Sequence, residues 1–364
     1  MELTAIPTAA GQEHRVIDWI ERWATNQKGI TLTRDRFGNL LLKQNRSSSK
    51  KPIYITAHLD HPAFVVRRQI DEQHLEMEFR GGVNDKYFVG ANVEVFDNED
   101  NGYAGTIQSL KARAKPFKRV VVKLKRPVVG ILFNGDVARW RLGRPVVKNG
   151  LLHAPACDDL GGVAAAISAL SVIKGMRGLG HVCVLLTLAE EIGLVGAIAA
   201  AKHGTIQKSS RLLCLETSRS FPESPIGDGP ILRVGDRTSV FAPELTNSIA
   251  EIMNMYQAVH KKFKWQRKLM PGGTCESTAF CEFGFLSTCL CLPLGNYHNM
   301  HDIDGVIHKK KVAKIAPEII SVDDFHGLVK MLTVICRHLD KRKSSILMRG
   351  LETRFRQHEK LLTG

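Results

Sequence analysis

The sequence predicts an α/β protein: a mainly parallel sheet flanked by helices, with a small all-β domain inserted into it. Two textures of the chain carry that prediction. Before residue 66 and after residue 150, apolar strand-length runs alternate with helical patterns, as they do in α/β domains. Between Val66 and Val147 the pattern changes to short alternating stretches: HLEMEF, ANVEVF, AGTIQSL, RVVVKL and VGILF. Turn residues punctuate them at Arg80-Gly81-Gly82, Asp97-Asn98 and Asn101-Gly102, which is the spacing of a small β module. A third observation concerns function: several apolar runs end in an acid or a histidine, and open α/β sheets bind ligands beyond the carboxyl ends of their strands.

The elements follow in order. Gln12 to Asn26 reads as an amphipathic helix with Val16, Ile17, Trp19, Ile20 and Trp23 on its apolar side. Ile53 to Ala57 is a β-branched strand that ends at His58. After the β module, Gly161 to Lys174 is a small-residue helix, His181 to Ala189 a buried strand, and Gly193 to His203 a helix again. The strand Leu212 to Leu215, the helix Glu244 to His260 and the strand Phe285 to Leu292 come next. A last helix runs from Val322 to Leu339, where Ser321 and Asp324 have capping-box spacing. The expected organisation is an α/β domain of residues 1–65 and 150–345, a barrel-like insert of residues 66–149, and a charged tail of residues 346–364.

Composition bounds the function classes. The 364 residues are 44% hydrophobic and 24% charged, values of an ordinary soluble protein. No apolar stretch is long enough to span a bilayer, and the N-terminus lacks a basic-then-apolar signal pattern, so no membrane partner and a cytoplasmic location are expected. None of the eight cysteines forms a CxxC pair and most lie in apolar runs, so they are read as reduced and buried. The net charge of +15 is concentrated in Lys111–Arg144, in Lys309-Lys310-Lys311 and after Arg337. Without a zinc-finger spacing or an aromatic-plus-basic strand motif, this is read as a solvated basic face rather than a nucleic-acid surface.

The run ends supply His58, Glu190-Glu191 and Glu216, and His298 follows the Phe285–Leu294 run after a short turn. Parallel strands would gather all of them at one sheet edge. Burying so many carboxylates is costly unless cations neutralise them, and imidazole with carboxylate suits zinc, cobalt or manganese. Asp60 falls on the His58 side of the chain, within reach of its second ring nitrogen, where it would fix the tautomer. Asp158-Asp159 has two readings: a helix N-cap, or a carboxylate that bridges two ions. Glu190 and Glu191 diverge as neighbours do, so one can bind metal while the other serves as a base. Gly272-Gly273-Thr274 is either a plain turn or a cleft wall of backbone N–H groups, and it is no phosphate loop, since no Lys-Ser/Thr follows.

AHLDH (57–61), ACDDLGG (156–162), AEEIGLVGA (189–197), CLETS (214–218), GGTCES (272–277) and GNYHN (295–299) occur in that order. Together with GILFNGDV (130–137), they are similar to the dinuclear aminopeptidases of the tetrahedral-aminopeptidase and glutamyl-aminopeptidase family. The resemblance covers roughly residues 5–340 and implies a zinc-peptidase-like fold with a β-barrel insert. It implies that His58 and Glu216 hold one ion, Glu191 and His298 a second, and that Asp158 bridges them with support from Asp159. Asp60 would orient His58 and Glu190 would be the general base. Gly273, Thr274 and Glu276 are the candidates for substrate contact. The chain departs from the family pattern at Glu216, where Asp is common, at Leu160 in place of Arg, at Cys275-Glu276 in place of Asp, and at His61 in place of an acid.

The expected function is removal of N-terminal residues from peptides by a water bridging two divalent ions, zinc first, with Glu190 as base. A homo-oligomer is expected, as in the family. Two other readings stay open: a metal-dependent deacylase or carboxypeptidase-type amidohydrolase, and a non-enzymatic basic binding protein.

Overall fold

Six buried residues, Ile53–His58, lie at the heart of the molecule, in a strand paired on both sides. The computed structural model describes residues 1–128, 135–341 and 346–363. In chain order, α1 (His14–Thr25) precedes β1 (Ile30–Arg34), β2 (Leu40–Gln44) and β3 (Ile53–His58). Then come β4 (Ala63–Gln69), β5 (His74–Arg80), β6 (Asn92–Phe96), β7 (Gly102–Lys111), β8 (Lys118–Leu124) and β9 (Val137–Trp140). β10 (Val146–Lys148) and β11 (Leu151–Ala154) lead to α2 (Leu160–Ile173), β12 (Val182–Thr187), α3 (Val195–Lys202) and β13 (Arg211–Arg219). β14 (Ile231–Gly235), α4 (Pro243–Val259), β15 (Gln266–Leu269), α5 (Glu276–Glu282) and β16 (Leu286–Leu294) follow. The chain closes with β17 (Met300–His301), α6 (Ile303–His308), β18 (Lys314–Ile315), β19 (Glu318–Ser321), α7 (Val322–His338) and α8 (Ile346–His358).

The large sheet has the order β1-β2-β12-β3-β13-β16-β14-β15. Its centre is parallel: β12 with β3, β3 with β13, and β13 with β16. β2 and β14 flank that centre as antiparallel neighbours. The central strands are buried on both faces, which is why they read as continuous apolar runs rather than alternations. α1, α2, α4 and α7 bury Val16, Ile20, Leu170, Met253 and Leu332 in the core cluster on one face, while α3 and α5 contribute Ala200 and Phe280 to that on the other.

β4-β5-β8-β7-β6-β9 close into a barrel. Its core is aromatic: Phe64, Phe79, Phe88 and Trp140 contact one another at ring-centroid distances such as 4.7 Å for Phe64–Trp140 and 4.9 Å for Phe79–Phe88. Closure removes the exposed strand edges of a small sheet. The barrel strands begin at Ala63 and end at Trp140. β10 and β11 pair instead with β19 from the far end of the chain. The expected strand VGILF and residues 130–134 of the GILFNGDV stretch lie outside the described residues.

Two local readings are corrected. The strand at Leu212 extends to Arg219, because β16 keeps pairing with it as far as Arg219↔Leu294. Glu216 is therefore inside a strand and not at its end. The Ser321 hydroxyl caps α7 by accepting the Asp324 N–H at 3.2 Å, but the Asp324 carboxylate does not reach back. It accepts from the Gly227 and Gly229 N–H groups at 2.7 and 2.8 Å. The tail after Lys341 includes α8, none of whose described residues is buried.

Phe64→Ala should open a cavity in the aromatic barrel core and cost about 3–5 kcal/mol, read as a lowered urea midpoint.

Candidate metal centre and active-site cleft

The parallel register aligns the site. Thr187 at the end of β12 is paired with His58 at the end of β3. Thr56 of β3 pairs with Cys214 of β13, so His58 and Glu216 both lie two residues further on. Glu190 and Glu191 follow β12, Asp158-Asp159 precede α2, and His298 comes four residues after β16. His58, Asp60, Asp158, Asp159, Glu190, Glu216 and His298 are all buried.

Asp158 is the hub. One carboxylate oxygen lies 3.4 Å from His58 Nε2 and the other 3.3 Å from His298 Nε2. The same His58 nitrogen is 3.9 Å from a Glu216 oxygen and 4.0 Å from a Glu190 oxygen. His298 Nε2 is 3.4 Å from a Glu191 oxygen. The other ring nitrogens are engaged. His58 Nδ1 faces the Asp60 backbone carbonyl at 3.1 Å and its carboxylate at 3.4 Å, and His298 Nδ1 donates to the Gly82 carbonyl at 2.7 Å. Both Nε2 atoms are thereby turned toward Asp158.

Asp60 also accepts the N–H groups of Glu190 and Glu191, each at 3.0 Å, and so fixes that turn. Asp159 is the N-cap residue of α2 by position, yet its side chain caps nothing. Both its oxygens, and one oxygen of Asp158, are buried without a hydrogen-bond partner among the described residues. Gly162 makes room for it: a Cβ there would stand 2.2 Å from an Asp159 oxygen.

The electrostatics follow from this crowding. Burial pushes the Glu190, Glu191 and Asp159 carboxyls well above the ordinary range. Burial, together with Asp158, takes Glu216 to about 7. Burial acts the same way on Asp158, but the His298 and His58 imidazoles that face it hold it well below the ordinary value. Burial would lower His58, yet Glu190 and the other acids around it carry it well above 6.5. Among the described residues, candidate ligand atoms of His58, Glu190 and Glu216 lie within 4.8 Å of one another, as do those of His58, Asp158 and Glu191, and of Asp158, Asp159 and Glu216. Orphaned carboxylate oxygens beside imidazoles are a donor set for divalent cations, and the residues fit that role.

The sequence profile of M42 glutamyl aminopeptidases matches residues 38–125 and 128–316. The chain belongs to the M42 glutamyl aminopeptidase family. It is a peptidase. Among solved structures, the TET1 peptidase of Pyrococcus horikoshii is 21% identical, with 92% of this chain and 97% of that one covered at a TM-score of 0.72. The TET aminopeptidase of a marine-sediment Thaumarchaeota archaeon is 18% identical, covers 93% and 95%, and has a TM-score of 0.75. An aminopeptidase of Desulfurococcus kamchatkensis is 18% identical, covers 92% of each chain, and has a TM-score of 0.71. These likenesses are of fold. A comparison with curated proteins finds no match.

In this M42 peptidase a cleft opens over the cluster, with Asp158, Glu190, Glu191, Glu216 and His298 on its floor. Gly273 and Thr274 line it, as does Tyr297, whose ring stacks on His298 at 3.7 Å between centroids. Glu276 does not line the cleft. It is buried beneath His58, where it accepts hydrogen bonds from Thr56 at 3.3 Å and from Thr187. Three residues unread in the sequence complete the surroundings. Glu13 accepts the Ala189 N–H at 2.9 Å, just ahead of Glu190. Glu318 accepts the N–H groups of Cys157, Asp158 and His298 at 2.6, 3.0 and 2.9 Å. Arg233 lines the cleft from β14. A lone Arg within the apolar stretch PILRVG was the one available signal for it.

The pKa directions set a stability profile for the metal-free protein. A carboxyl raised in the folded state favours folding while protonated and opposes it once ionised, so stability falls as pH rises from about 4.5 through the folded value, near 7 for Glu216. His58 acts in the same direction above 6.5, while His61, lowered to about 4 by burial, opposes it below 6.5. The melting temperature without metal should therefore fall between pH 6.5 and 8. Added divalent cation should raise it more at pH 8 than at pH 5.5, because the ligands must lose their protons to bind.

Proposed function

We propose that this chain is a metal-dependent aminopeptidase with Glu190 as its general base. The observation that carries the reading is Asp158, whose two oxygens each face an imidazole from a different part of the chain. His58, Glu216 and Asp158 would hold one divalent ion, and Glu191, His298 and Asp158 a second. Zinc suits this donor set first, then cobalt or manganese. Such ions supply Lewis acidity and a lowered pKa for a water molecule. Glu190, on the cleft floor and fixed through its N–H by Asp60, takes a proton at its carboxylate and passes it to the leaving amine nitrogen. Asp60 and Gly82 hold the two imidazoles in one tautomer each. Gly273 and Thr274 form the cleft wall along which a peptide would lie.

Arg233 points to the preferred substrate. It is only 3% exposed, its Nη1 donates to Ser218 Oγ at 3.0 Å, and its Nε has no partner among the described residues. Among the described residues no ion pair joins that guanidinium to a carboxylate, Glu216 acting on it only through its charge, and a side-chain carboxylate on the N-terminal residue of a peptide would supply one. Acidic N-terminal residues are therefore the proposed preference. A homo-oligomer is proposed on the likeness to the TET1 peptidase, described as assembling into a tetrahedron or an octahedral shell. Among the described residues no helix is long and apolar enough to cross a membrane. The eight free cysteines fit a reducing compartment such as the cytoplasm.

Glu190→Gln should keep metal content and fold while losing at least about 100-fold in kcat on aminoacyl-anilides. Normal turnover would remove Glu190 as the base. His58→Ala should lose metal by elemental analysis. Arg233→Met should lower kcat/KM for a glutamyl-anilide by about 10- to 100-fold and leave the leucyl-anilide little changed, the worth of one charged hydrogen bond. An equal loss on both substrates would deny Arg233 a part in selection.

A further inference from the structure

The two imidazoles at the site are supported by different parts of the molecule. His58 ends the central strand of the large sheet, and its Nδ1 partner, Asp60, is two residues away on the same chain segment. His298 lies on a loop after β16 that leaves the sheet and runs along the barrel. That loop carries four non-glycine residues with left-handed backbone: Asn296 (φ 52°), His298 (φ 52°), Asn299 (φ 63°) and Asp302 (φ 48°). Such a backbone persists only where its surroundings hold it.

The His298 ring and the segment after it, residues 300–306, are held from one stretch of the barrel domain. The Gly82 carbonyl accepts from His298 Nδ1 at 2.7 Å. The Asn84 N–H meets the Met300 sulfur at 3.4 Å, the Tyr87 hydroxyl donates to the His301 carbonyl at 2.8 Å, and Lys86 Nζ donates to the Val306 carbonyl at 3.2 Å. Met300 and Val306 are buried within the barrel's own core cluster. The α/β side holds the main chain around it: Glu318 accepts the His298 N–H, the Pro317 carbonyl accepts from Asn296, and the Pro155 and Ala316 carbonyls accept from Asn299, but these bonds do not reach the His298 ring.

We propose that the barrel domain builds half of the metal centre: the Gly82 carbonyl sets the tautomer and aim of His298, so the ion held by His298 and Glu191 depends on barrel seating while the ion held by His58 and Glu216 does not. This rests on the metal-dependent reading above, and it makes Gly82 a positioning residue through its main chain. The two sites are then unequal by construction. A shift of residues 81–87 frees the second ion first.

Two glycines of the barrel domain give the test. Gly81 has φ 134° and a Cβ there would fall 2.6 Å from Pro62 Cβ, so Gly81→Ala must displace this loop. At Gly102, in β7 of the same barrel, a Cβ would meet only the Glu94 side chain at 3.4 Å, an ordinary contact, so Gly102→Ala is the control. Zinc would be titrated into metal-free protein by calorimetry, with bound metal counted by elemental analysis. The expected result is that Gly81→Ala keeps one ion at wild-type affinity and weakens the other by about 10- to 100-fold, while Gly102→Ala binds both as wild type does. Tyr87→Phe, which loses only the bond to His301, should weaken the same ion in the same direction and serves if Gly81→Ala does not fold. The His298 Nδ1–H bond to Gly82, read by nitrogen-15 NMR without metal as a slowly exchanging ring proton, should be present in wild type and lost in Gly81→Ala. Equal weakening of both ions, no weakening of either, or an unchanged Nδ1–H signal would overturn the proposal. Wild-type protein that binds no zinc would instead sink the metal-dependent reading, leaving the Nδ1–H measurement to decide the barrel's role.

Discussion

Concentrated, buried negative charge is the constraint around which this molecule is built. Eleven side chains, nine carboxyls and two imidazoles, meet at one edge of the sheet, most of them buried. Each isolated carboxylate there would cost several kcal/mol. The structure answers in layers. The outer acids, Glu13, Asp60 and Glu318, take backbone N–H groups, and Glu276 takes two threonine hydroxyls. The inner acids, Asp158, Asp159, Glu190, Glu191 and Glu216, lack enough such donors and are left facing each other and two imidazoles. What the outer layer does is hold the inner layer still, so that the unsatisfied oxygens converge on one volume and do not swing apart. Parallel pairing in the centre of the sheet is what makes this possible, since it brings several strand ends to one level.

The molecule divides its labour unevenly between its two cores. The α/β core sets the heights of His58, Glu190 and Glu216 through strand register. The barrel has a core of its own, built from four aromatic rings set mostly edge to face, and borrows Met300 and Val306 from the α/β chain to complete it. That exchange ties the insert to the site more firmly than a surface contact could.

Much of this was legible in the chain. Central strands are buried on both faces, so they appear as unbroken apolar runs, and His58 and Glu190-Glu191 stand out where the runs stop. The barrel strands have one wet face, and alternation with turn residues revealed them. Other features were hidden for physical reasons. Glu216 lies within its strand because β16 extends the pairing past it, which depends on the neighbour and not on local sequence. Glu276 has the spacing of a cleft residue, yet the first turn of α5 aims it at the threonines under the sheet. Glu13 and Glu318 act on N–H groups 176 and 161 residues away. No periodicity encodes such a bond. Short strands such as β1, β2, β14 and β15 also escaped, being too brief or too mixed in polarity to assert a period.

Those long bonds bear on how the site comes into being. Glu13 precedes α1 and Glu318 opens β19, so the clamp that fixes Ala189, Asp158 and His298 closes only when a segment from before the barrel meets one from after β16. During synthesis the barrel strands emerge early, but their core stays open until Met300 and Val306 follow, and the reactive cluster waits for the β19 segment just behind them. Loop closure over such separations is slow relative to local folding. A chain cut short before β17 therefore lacks the last side chains of the barrel core as well as the clamp on the cleft, so insert and reactive cluster reach completion together, late in maturation.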